Sequence, residues 1–136
     1  MVKRQKNKKC SLSSGETLVM KVIWDTSEEL GRDITISELT EALLRDYGKD
    51  YTRTAVVSFL DKLTEKGFVE RHREDRPSYI HPLQEEEEYK RKMILENANF
   101  WFRGKVSSLV AALDSEQKIT EEEAEKIRRI LDGVDR

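Results

Sequence analysis

Between Thr52 and Lys62 the chain sets hydroxyls, a guanidinium and an ammonium along a segment whose other side is apolar. Val56, Phe59, Leu60 and Leu63 recur at helical spacing and, at about 100° per residue, predict one buried stripe. The opposite face then carries Thr54, Ser58 and Asp61, flanked by Val57 and Lys62, with Thr52 and Arg53 in the first turn. Hydroxyls donate and accept, a guanidinium reads guanine or clamps a phosphate, and a valine meets a thymine methyl. The start of such a helix also offers free backbone N–H groups to a phosphate. Asp61 and Glu65 repel phosphate farther along unless they accept from a cytosine amine, which confines the expected contact to the first two turns.

A second set of cations follows. Arg71, Arg73 and Arg76 lie in a stretch read as two short strands, 68–73 and 78–82, around the polar turn Glu74–Pro77. Alternation along a strand predicts Arg71 and Arg73 on one face, with Arg76 at the tip, as contacts for phosphate or a minor groove. The segment 1–11, with Lys3, Arg4, Lys6, Lys8 and Lys9 and no acid, is expected to be a flexible arm adding salt-sensitive affinity. Each of these elements, read alone, also fits an ordinary solvated surface, and Glu70, Glu74 and Asp75 stand among the arginines.

The elements that must hold these groups are legible from caps and periodicity. Ser13 and Glu16 have capping-box spacing, and Leu18, Val19, Val22 and Ile23 form the stripe of a first helix closed by Trp24. Ile34-Thr35-Ile36 is β-branched and extended in character. Ser37 is expected to cap a second helix with Leu39, Leu43 and Leu44 buried and Gly48 as its stop, and Thr52 to cap the third. After Pro82 and the run Glu85 to Glu88 come a long helix from Glu85 to Phe102, a break at Gly104, and a shorter helix with Val106, Leu109, Val110 and Leu113. A last helix is capped by Thr120 and Glu123 and carries Ile127, Ile130 and Leu131. The chain is therefore expected to be mainly α: an N-terminal winged helix-turn-helix of three helices and a small β-hairpin wing over 12–83, then a helical region over 84–136. Helices two and three, joined by a few residues, have the helix-turn-helix arrangement.

Composition narrows the classes. With 38% charged and 37% hydrophobic residues in 136, and a net charge of −2, the total argues nothing about nucleic acid, but its distribution does: a basic start and an acidic second half. One cysteine, Cys10, excludes a disulfide framework. No apolar run approaches the ~18 residues of a membrane helix. The basic start lacks a following apolar stretch, so no export signal and no membrane insertion are expected, and the cytoplasm is the expected location. His72 and His81 have no nucleophile partner and make an unusual zinc set, no Gly-rich phosphate loop occurs, and no catalytic residue, metal or cofactor is expected.

The chain resembles the penicillinase repressor family of winged-helix transcriptional repressors. The residues that carry the resemblance are Glu16 with Val19-Met20 and Trp24, Tyr51-Thr52 opening the third helix, Leu60, Leu63 and Lys66-Gly67, and Tyr79 with Pro82-Leu83. Ser107-Ser108-Leu109-Val110-Ala111-Ala112-Leu113 and the final helix add to it. The resemblance implies a homodimeric repressor whose N-terminal domain binds half of a palindromic operator in double-stranded DNA and whose C-terminal helices interlock. Phe100, Trp101, Phe102, Val106, Leu109, Val110 and Leu113, with Ile127, Ile130 and Leu131, would supply the dimerisation surface; they are more apolar than three short helices can hide. Members that regulate β-lactam resistance are inactivated by a membrane sensor protease at an Asn-Phe bond, but Ala112-Leu113 stands at that position, and Asn99-Phe100 lies earlier. The paired C-terminal cysteines of copper-responsive members are absent. The alternative the residues leave open is a winged helix that binds another protein through its acidic second half, without direct DNA binding.

Overall fold

The computed structural model describes residues 11–116 and 119–134; apart from Ser11, the arm predicted over 1–11 lies outside the described residues. The chain divides into two compact units on either side of the Tyr89–Lys90 bond. The order of elements is α1 (Ser14–Leu30), β1 (Ile34–Thr35), α2 (Ile36–Tyr47), α3 (Arg53–Glu65), β2 (Val69–Glu70), β3 (Tyr79–Pro82), α4 (Glu86–Phe102), α5 (Val106–Ser115) and α6 (Glu121–Val134). This is the mainly helical, winged architecture expected from the sequence.

Local chemistry starts the first two helices in the same way. Ser13 Oγ accepts from the Glu16 amide at 3.2 Å while the Glu16 carboxylate accepts from the Ser13 amide at 2.9 Å. Thr35 and Glu38 repeat that box for α2. Thr35 therefore caps α2 in place of the expected Ser37. The Thr-x-x-Glu spacing satisfies two orphan donors at once, and pairing with β3 already holds Ile34-Thr35 extended. At the far end Gly48 takes a left-handed φ of 66° and its amide closes on α2 carbonyls, which frees the chain to turn into α3.

Residues Val19, Met20, Ile23, Leu39, Leu43, Val56, Leu60 and Leu63 fill the core among α1, α2 and α3. Leu44 is a correction: it is 51% exposed, because α2 buries Ile36, Leu39, Ala42 and Leu43, and Leu44 turns about 100° past Leu43. Phe59 sits at the rim of this core, its ring 5.4 Å from that of Tyr51. A three-stranded antiparallel sheet of order β1-β3-β2 closes the unit, with Ile34 opposite Ile80 and Val69 opposite Pro82. Its strands are shorter than predicted, so residues 71–78 form a loop rather than strand ends around a tight turn.

The first turn of α4 belongs to this unit. Lys21 binds Glu86 at 2.5 Å, the Trp24 indole donates to the Gln84 carbonyl at 2.9 Å, and Tyr89 lies between the rings of Trp24 and Phe68. The second unit differs in kind. Its helices turn at Arg103-Gly104, where the Gly104 amide returns to the Ala98 carbonyl at 2.9 Å. Ala98 is its one buried hydrophobic side chain among the described residues, and α5 buries none. Thr120 caps α6 by accepting from the Glu123 amide at 3.1 Å.

The Glu16–Lys66 ion pair joins the start of α1 to the end of α3. Lys66, just past α3, donates to Glu16 at 2.6 Å and to the Ser11 carbonyl at 2.9 Å. Burial alone would raise the Glu16 pKa, but Lys66 and the Ser13 amide hold it below its ordinary 4.5. A carboxyl with a lower pKa when folded adds stability that is complete above the unfolded value and is lost as pH falls through the folded one. Stability is thus expected to decline as the solution is acidified below 4.5. Glu16→Gln should flatten part of that decline and cost about 1–3 kcal/mol at neutral pH, where Lys66 loses its counter-charge. Parallel melting curves for the two proteins at every pH would refute this role for Glu16.

Candidate nucleic-acid interface

The start of α3 is presented by three constraints. Gly48 ends α2, the Tyr51 ring packs on Phe59, and the Thr52 hydroxyl accepts from the Ala55 amide at 3.1 Å. With Val56, Leu60 and Leu63 buried, the opposite face must point outward. Thr52, Arg53, Thr54, Ser58 and Lys62 are all exposed and Val57 is half-buried. The structure thus brings these five residues onto one accessible surface beginning at a helix N-terminus.

The wing meets that surface through Asp61. The Arg73 guanidinium donates to its carboxylate, and Arg71 Nη2 lies 3.6 Å from the same oxygen. Arg71 and Arg73 converge, although neither lies in a strand; the cause is the shared carboxylate and not strand alternation. Arg73 is exposed, whereas the Arg71 side chain is only 7% exposed, so it does not project as a free wing contact. Arg76 curls back, its Nη1 donating to the Arg73 carbonyl at 2.7 Å and the Asp75 carbonyl at 3.0 Å. A groove between the start of α2, the start of α3 and the wing is lined by Arg53, Arg71, Arg73 and Arg76.

In sequence, Asp61 reads as a carboxylate that repels phosphate unless it accepts from a cytosine amine. Its pairing with the wing makes it an anchor, and the available signal is an acid on the outer face of α3 followed by closely spaced arginines. His81 pairs with Asp33 at 3.0 Å, and His72 is exposed. No group of three metal-ligating side chains occurs among the described residues. Among them, too, no helix is long and apolar enough to cross a membrane.

Three helices, a short turn between the second and third, and a hairpin beside the exposed face of the third define a winged helix-turn-helix protein. The family model described as penicillinase repressor matches residues 12–133, and the chain belongs to that family of transcriptional repressors, which are not enzymes. It is 27% identical over 125 residues to the methicillin resistance regulatory protein MecI of Staphylococcus aureus (strain N315), across 92% of this chain and 96% of that protein. The protein of the same name from Mammaliicoccus sciuri is 29% identical over the same shares of the two chains.

The Asp61 anchor gives a direct expectation. Asp61→Asn should speed amide exchange across residues 71–78 while changing global stability little, since an exposed ion pair is worth about 0–1 kcal/mol. Unchanged exchange would show that the strands alone hold the wing.

Proposed function

We propose that the chain represses transcription as a homodimer that places α3 of each subunit in successive major grooves of a palindromic operator. The observation that carries this reading is the exposed face Thr52, Arg53, Thr54, Ser58 and Lys62, set at a helix start beside a wing rich in arginine. An α-helix fits the major groove, and hydroxyl, guanidinium and methyl groups match its base edges. In this reading Arg73 and Arg76 meet the backbone beside the reading helix, while Arg71 acts from within. Family membership supports the repressor role.

The second unit supports association. Phe100 and Trp101 are 74% and 69% exposed, and Val106, Leu113, Ile130 and Leu131 are exposed as well. Phe102, Leu109, Val110 and Ile127 are half-buried. Ile94 and Leu95, not expected from the sequence, extend this apolar surface along α4. A chain that leaves so much of a helical region uncovered reaches a stable state by burying it against a partner, and a two-fold dimer is the commonest solution and matches operator symmetry. In this role residues 84–136 form the dimerisation region. Release by a membrane sensor protease has Ala112-Leu113, in α5, as the position to examine, although it lacks the Asn-Phe pair.

Arg53→Ala is expected to weaken binding of an upstream DNA fragment by roughly tenfold or more at fixed salt, with the sedimentation profile unchanged. Unchanged affinity would remove Arg53 from the interface. Trp101→Glu with Leu113→Glu is expected to yield monomers in sedimentation and to lose operator binding. Binding by the intact chain should fall steeply as salt rises. Failure to retain any upstream fragment at low salt would favour the protein-binding alternative.

A further inference from the structure

Gly15 stands where the backbone has no need of glycine. It lies in the first turn of α1, in helical conformation, between the two members of the Ser13–Glu16 box. Alanine there would favour the helix, because glycine gives up more backbone freedom on folding. Space explains the glycine. A Cβ built on Gly15 would stand 2.8 Å from Phe59 Cε1 and 3.0 Å from Phe59 Cζ. Carbon atoms in contact rest at about 3.5–4.0 Å.

The start of α1 is poorly placed to retreat from that ring. Lys66, just past α3, holds the Glu16 carboxylate at 2.6 Å and the Ser11 carbonyl at 2.9 Å, so the chain is tied down on both sides of Gly15. A side chain at this position therefore displaces the ring instead. Phe59 is half-buried at the rim of the core, and its ring lies 5.4 Å from that of Tyr51. Tyr51 adjoins Thr52, whose hydroxyl caps α3 by accepting from the Ala55 amide. A line of contact thus runs from the first turn of α1 to the first turn of α3, apart from the buried stripe of Val56, Leu60 and Leu63.

We propose that Gly15 is a positioning residue for operator recognition. It rests on the operator-binding reading and adds to it a residue on α1, far from the exposed face of α3. The missing side chain lets the Phe59 ring lie against the first turn of α1. The ring then fixes Tyr51, and Tyr51 fixes the place at which Thr52 starts the helix and presents Arg53 and Thr54. Gly15 and Phe59 form a matched pair in this role: a larger residue at the first needs a smaller one at the second. Neither residue changes the charge of the surface, so the pair acts on the placement of the reading groups and leaves sequence-independent attraction to DNA as it is.

The test is a double-mutant cycle on the full chain, read as affinity for an upstream DNA fragment at fixed salt. Gly15→Ala and Phe59→Leu are each expected to weaken binding, by roughly tenfold. Adding Gly15→Ala to Phe59→Leu should regain most of that loss, because the new methyl group fills the space the shorter side chain vacates. Helix propensity alone gives Gly15→Ala the same sign in both backgrounds, so the reversal of sign is the readout a merely structural role would not produce. Binding to an unrelated DNA fragment at low salt should be the same for all four proteins. In amide spectra the resonances of Thr52 to Ala55 should move in Gly15→Ala and return in the double variant. Equal operator affinity for Gly15→Ala and the unaltered chain, or the same sign in both backgrounds, overturns the proposal. If Gly15→Ala does not fold, Phe59→Leu against the double variant decides alone: regained affinity supports the matched pair, and none overturns it. An unaltered chain that retains no upstream fragment brings down the operator reading and the role of Gly15 with it. One that binds, without the reversal, brings down only the role of Gly15.

Discussion

Everything functional in the first unit depends on α3 burying one stripe and only one. Val56, Leu60 and Leu63 seat it against α1 and α2, and that contact fixes which residues face water. A helix buried on two sides would have no exposed polar face, and one buried on none would have no defined rotation about its axis. The stripe supplies the rotation, Gly48 and Thr52 supply the starting point, and the Glu16–Lys66 pair ties the far end of α3 to the start of α1. Position along the helix, rotation about it and its far anchor are thus set by different interactions, each in a different part of the chain.

Electrostatics then decides what the wing can do. Arginines in a loop ordinarily sample many conformers, and ordering them costs rotamer entropy. Asp61 meets part of that cost before any ligand arrives by holding Arg73 on the side of α3 that faces outward. The acid that weakens the far end of the helix as a phosphate contact is therefore the group that organises the cations beside it. A carboxylate on such a surface is read best through its neighbours in space.

What could be read from the sequence was local. The Ser13–Glu16 box, the Gly48 stop, the Thr52 cap and the buried stripe of α3 all rest on residues within a few positions of each other, and all are present. Local spacing favours Ser37 over Thr35 as the cap because the decisive partner of Ile34-Thr35 is β3, far along the chain. Leu43 and Leu44 look alike in sequence until the rotation of α2 is fixed, and only Leu43 turns inward. The meeting of Arg71 and Arg73 at Asp61 and that of Glu16 with Lys66 depend on how the chain returns on itself, and no spacing rule reports that. Ile94 and Leu95 escape sequence patterning for a different reason: they sit in a helix whose apolar residues follow no clean stripe.

The thinness of the interior behind α4, α5 and α6 bears on how the gene it controls would respond. A region that gains most of its cohesion from a second copy has a melting point that climbs with protein concentration. Occupancy of a two-fold site by such a molecule varies more steeply than the first power of the amount in the cell. For the dimer proposed above, modest dilution, or a nick that loosens one copy, would then be enough to empty the promoter.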